Sequence, residues 1–61
     1  MKHISPSAMF MFLAGRCAAR RDEMMSKARD ALPQCRAAYV SSARTFNHWM
    51  LHELKQAKKF A

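Results

Sequence analysis

The stretch HWMLHE carries two histidines, His48 and His52, four residues apart and so on one face of any helix they occupy. That spacing can hold a metal ion. It is not the HExxH arrangement of zinc proteases, because Glu53 follows the second histidine instead of the first. A structural zinc takes about four ligands and a catalytic one about three plus water. Only Glu53, Cys35 and His3 remain as further donors, and no spacing brings them near the pair. No metal site is expected, and the two histidines are assigned to a polar helix face. The two cysteines, Cys17 and Cys35, form neither a CxxC nor a twin-cysteine hairpin motif. They are expected as free thiols without a disulfide scaffold, in a reducing or protected setting. Neither has a base held beside it by spacing, so neither is a nucleophile candidate. No catalytic residue, cofactor site or small-molecule substrate is expected, because catalysis needs a pocket with converging groups that so short a helical chain cannot build. Trp49, beside His48, suits a partner's pocket or a lipid headgroup layer more than an isolated core.

The elements that carry these residues are helices. Ala, Met, Lys, Arg and Leu dominate, glycine occurs once and proline twice, and β-branched residues are scattered. Ser5-Pro6 is a helix start, with Ser5 as cap and Pro6 at the first helical position. Helical periodicity then runs from about residue 6 to 32. One apolar line is Phe10, Leu13, Cys17, Met24, Ala28 and Ala31, and its neighbour is Met11, Ala14, Ala18, Met25 and Leu32. Arg16, Arg20, Glu23, Lys27 and Asp30 form a polar line, with Glu23 and Lys27 in the favourable i, i+4 order. Gly15 sits inside at a cost of about 1 kcal/mol unless a close neighbour needs the space.

Pro33 breaks the pattern by removing an amide donor and pushing Leu32 out of helical geometry. A second helix follows over about 34–59. Its apolar line is Tyr39, Ala43, Phe46, Met50, Leu54 and Ala57, with Val40, Leu51 and Phe60 alongside. Its polar line is Ser41, Thr45, His48, His52, Lys55 and Lys59. The expected fold is therefore all-α: two amphipathic helices broken at Pro33, as an angled pair or a hairpin. The junction has no glycine to signal a tight turn, which favours the angled pair. A hairpin and an intramolecular disulfide exclude each other, since helical rise would set Cys17 about 24 Å from the turn that holds Cys35. The heptad-like spacing spans too few turns to require a coiled coil.

With 61 residues the chain is one small helical unit, 1–61, and is not expected to be an independent domain. A chain of this size buries only ~60% of its unfolded surface. Its apolar fraction of 51% is too high for a disordered tail, yet it holds one Ile, one Val and four Leu, thin material for a core. Methionine, present six times, suits adaptable contacts instead.

The net charge is +7. The first acid is Asp22, so residues 1–21 carry Lys2, Arg16, Arg20 and Arg21 unopposed. The longest apolar run, Ala8 to Ala14, is seven residues, far short of the ~20 a membrane span needs. Lys2 followed by that run loosely matches a secretory signal, but Arg16 spoils the lipoprotein-like stretch Leu13 to Cys17. Arginine and serine without acid on an amphipathic helix match a mitochondrial presequence better, here an uncleaved one that stays and packs.

For nucleic acid, Arg16, Arg20, Lys27, Arg36 and Arg44 can reach phosphates, but Asp22, Glu23 and Asp30 interrupt the first group and no DNA-binding motif is present. These readings converge on an expectation: a non-catalytic accessory subunit of a large mitochondrial inner-membrane complex, a respiratory chain complex or the ATP synthase. Phe10, Phe12, Leu13, Phe46, Trp49, Met50 and Leu54 are the expected partner-interface residues. Arg16, Arg20, Arg21, Lys55, Lys58 and Lys59 are expected to meet acidic protein surfaces or anionic lipid headgroups. The alternatives are a small ribosomal protein of the mitochondrial matrix contacting rRNA, and a free amphipathic membrane-surface peptide.

Overall fold

The computed structural model describes residues 3–61 as two helices, α1 (Pro6–Asp30) and α2 (Pro33–Lys59). Met1 and Lys2, the first residues of the presequence-like stretch, lie outside the described residues. The start of α1 is as the sequence predicts: the Ser5 hydroxyl accepts from the Ala8 amide at 3.1 Å, and Pro6 opens the first turn. Ala31 and Leu32 then leave helical geometry, with φ −81°, ψ 153° and φ −59°, ψ 149°. For Leu32 the cause is the steric demand of the following proline. The break thus comes two residues before the predicted end of the first helix. Pro33 itself opens α2, where its missing amide is one the helix would leave unpaired anyway.

The helices fold back on one another as a hairpin, so the angled arrangement gives way. Two extended residues reverse the chain without a positive φ, which is why no glycine was needed. The turn is held by α2 itself. Arg36 donates through Nε to the Ala28 carbonyl at 3.1 Å and through a terminal nitrogen to the Ala31 carbonyl at 3.3 Å. Those are among the orphan carbonyls at the end of α1, so one guanidinium caps the first helix from the second. At the open end the Ser7 hydroxyl donates to the Ala57 carbonyl at 3.0 Å, and Phe10 and Phe60 stack at 5.7 Å.

Between these ends runs a seam with alternating steps of three and four residues. On α1 it follows Ser7, Phe10, Ala14, Cys17, Arg21, Met24 and Ala28, all buried or half-buried. On α2 it follows Tyr39, Ala43, Phe46, Met50, Glu53 and Ala57. This is the heptad repeat of an antiparallel coiled coil, sustained along the whole hairpin. The buried core is four alanines, Ala14, Ala28, Ala43 and Ala57, each 3% exposed. On each helix the two alanines are fourteen residues apart, with a long flexible side chain midway, Arg21 on α1 and Met50 on α2. The small residues let the backbones approach, and the long ones fill what remains.

The molecule is a thin slab, 47 × 22 × 11 Å, with a radius of gyration of 14.3 Å. A compact chain of this length would have about 10.5 Å. Its surface of 5014 Å² compares with about 4,000 Å² for a compact protein of 7.0 kDa.

Candidate functional site

The seam consumes part of the predicted interface and leaves part of it free. Phe10, Leu13, Phe46 and Met50 are half-buried within the hairpin. Phe12 at 64%, Trp49 at 48% and Leu54 at 37% exposure remain open to a partner. Met11, Met25 and Leu32 from the second apolar line of α1, and Leu51 from alongside the apolar line of α2, are also exposed. Three residues enter the seam that the apolar lines omitted: Ser7 and Arg21 on α1, and Glu53, in place of the expected Leu54, on α2. Glu53 places one carboxylate oxygen, Oε2, out of contact with water and without a hydrogen-bond partner.

Arg21 is the polar centre of the seam. One terminal nitrogen donates to Asn47 Oδ1 at 2.8 Å and lies 3.3 Å from Met50 Sδ, while Nε pairs with Asp22 at 3.1 Å. Its neighbour Arg20 pairs with Glu23 at 3.1 Å and lies over the Phe46 ring at 6.0 Å. Glu23 also takes Lys27 at 3.5 Å, the i, i+4 pair expected from the sequence. All three ion pairs among the described residues thus cluster in the middle of α1. Arg16, Lys55, Lys58 and Lys59 from the predicted basic set are exposed and pair with no carboxylate there, and the same holds for Arg29 and Arg44.

Seam and slab together create two broad faces. On one, the helices leave a groove floored by Met25, Ala28, Val40 and Ala43 and walled by Arg21, Arg29, Arg36 and Arg44. Seven-residue steps from its floor lead on to Met11 and Leu54. The other face has a depression of its own between Leu13, Cys17 and Phe46, edged by Arg16 and Arg20. Trp49 lies on that second side, since it is two residues, or about 200° of helix rotation, from Asn47.

The histidines are exposed on α2, edge-on to Trp49 at 5.8 Å for His48 and 5.7 Å for His52. Leu51 and Lys55 share the shallow depression with them, so a lysine ammonium and an apolar side chain stand where further ligands would be needed. Among the described residues no three His, Cys, Asp or Glu side chains come together. Cys17 is half-buried and Cys35 exposed, both as free thiols. None of the described helices is long and apolar enough to cross a membrane.

No family model, curated protein or solved structure matches this chain. The arrangement offers two chemistries, apolar contact through exposed methionines and aromatics, and charge contact through unpaired arginines and lysines. Sequence periodicity marked the apolar residues. It did not reveal the arginine-walled groove, whose parts come from both helices and meet only once the hairpin closes.

Proposed function

We propose that this chain is a helical brace: a non-catalytic accessory subunit that docks on other subunits of a large assembly and stabilises them. The observation that supports the reading best is the surface excess. The hairpin buries only four alanines fully, while Phe12, Met25, Trp49 and Leu51 stay in water. Burying a fully exposed side chain of this kind is worth about 1.5–3 kcal/mol and these are about half exposed, so partners that cover several of them gain roughly half of that from each, binding energy the hairpin leaves unused. The unpaired cations add contacts to acidic protein surfaces or anionic headgroups.

The placement at the mitochondrial inner membrane, in a respiratory chain complex or the ATP synthase, rests on the acid-free, arginine-bearing stretch before Asp22. The test is native fractionation of a mild-detergent mitochondrial extract carrying the C-terminally tagged chain, with and without nuclease. Migration with a large membrane complex, unchanged by nuclease, is the expected result. A shift to small size after nuclease would transfer the chain to the ribosome, and a small species in both lanes would leave a free membrane-surface peptide.

A further inference from the structure

The two broad faces of the slab differ in their charge balance. On the grooved face the only carboxylate near the walls among the described residues is Asp22, and Arg21 holds it at 3.1 Å. Arg29 and Arg44 project from opposite walls, exposed, without an ion pair or a side-chain hydrogen bond. Arg36 is anchored by its bonds to Ala28 and Ala31 and closes the turn end. Between these cations the floor is apolar, with Met25 at 41% exposure and Val40 half-buried. On the other face Glu23 already satisfies Arg20 and Lys27. Unpaired arginines and an apolar floor therefore meet along the grooved side, whereas on the other face Arg16 is the unpaired arginine beside the Leu13, Cys17 and Phe46 depression.

We infer that this groove receives an acidic amphipathic helix of a partner protein, completing a three-helix bundle over the seam. The inference rests on the brace reading and names the chemistry of its partner. A groove between two antiparallel helices is shaped for a third, which packs with its axis 8–10 Å away. Leucines or isoleucines along its seam fill the floor, over Met25 and Val40 toward the turn and over Met11 and Leu54 toward the open end, where the flexible thioethers adapt. Glutamates or aspartates beside that line reach Arg29 and Arg44, whose planar guanidinium groups pair carboxylates bidentately, while Arg36 adds its charge at the turn end. A second copy is the wrong occupant, because two chains of +7 would meet face to face. A lipid surface is disfavoured by the aromatic anchors, since Trp49 is on the opposite face and Phe12 on the outer edge of α1.

The test titrates the full chain with a labelled synthetic helix of four heptads, leucine along its seam and glutamate beside it, at 0.15 M salt. Fluorescence anisotropy should show saturable binding. Arg29→Glu with Arg44→Glu should weaken it at least about tenfold, and a lysine-flanked version of the same helix should regain binding to that variant. Arg16→Glu, on the other face, should change affinity by less than about twofold. Circular dichroism of each variant checks that the hairpin remains folded. Absence of binding, or equal loss from Arg16→Glu, overturns the inference. So does a groove probe, Met25→Trp in a Trp49→Phe background, that shifts its emission on phosphatidylglycerol vesicles and not with the helix. The brace reading is separable. A tagged chain that migrates in a large assembly but photocrosslinks to it from position 16 and not from position 44 refutes the groove alone. A chain that stays small in the extract yet binds the acidic helix through Arg29 and Arg44 refutes the brace alone and supports the groove.

Discussion

Three residues carry the local tensions of this molecule. Gly15 lies inside α1 with nothing within 4 Å of where a Cβ would stand. The close neighbour that would justify a glycine is absent among the described residues. Gly15→Ala should therefore raise stability by about 0.5–1 kcal/mol through lower unfolded-state entropy, read as a higher urea midpoint at unchanged slope. Glu53 is the opposite case, a polar side chain in the seam with Oε2 buried and unpartnered. An unsatisfied buried acceptor costs about 1–3 kcal/mol. Glu53→Met, of similar length and flexibility, should stabilise the hairpin by about 1 kcal/mol in the same measurement. Arg21 is also polar and also in the seam, but Asn47 and Asp22 satisfy it. Such a paired polar group favours one register, because sliding the helices would strip it of its acceptors.

At the level of the helices, the decisive feature is alanine at fourteen-residue intervals. Ala14 and Ala28 on α1 and Ala43 and Ala57 on α2 are the only fully buried side chains among the described residues, and close approach depends on their size. Ala43→Leu costs little helix propensity and adds apolar volume. Here it should cost about 1–3 kcal/mol by forcing the backbones apart, seen as a lower thermal midpoint and reduced helicity. Met25→Leu, a volume-conserving change at an exposed site on the groove floor, serves as the near-neutral control. Both helix starts place proline at the first turn, and both ends place lysine or arginine in the last, where cations complement the dipole. Antiparallel packing sets the start of α1 beside the end of α2, so the two dipoles oppose favourably.

For the whole molecule, size and shape govern. A slab 11 Å thick has no interior beyond one seam, and every helix residue off that seam meets solvent on one side or the other. The isolated chain should therefore be weakly stable, with a thermal midpoint below about 45 °C, under the range where small mesophilic domains cluster. Its stability should rise with the concentration of any partner that binds only the folded hairpin, as mass action requires. Circular dichroism melts with and without the acidic helix measure both effects. A high midpoint alone, unmoved by the helix, would show that the hairpin is complete without partners.

Much of this organisation is local and could be read directly from residue types. Helical composition, the Ser5-Pro6 start, the proline break and the Glu23–Lys27 pair depend only on residues within a turn or two of each other. The free thiols follow from two cysteines that form no paired motif. Tertiary structure decided what depends on the other helix. Periodicity offered two adjacent apolar lines on α1, about 100° apart, and nothing local chooses between them. Packing chose a seam drawing Phe10 and Cys17 from one and Ala14 from the other, because small side chains allow the backbones closest together. That choice admitted Arg21 and Glu53, left Met11, Met25 and Leu54 outside, and brought arginines distant in sequence around one groove. Turn geometry was likewise invisible beforehand, since Arg36 closes it by capping carbonyls of the preceding helix from across the chain reversal.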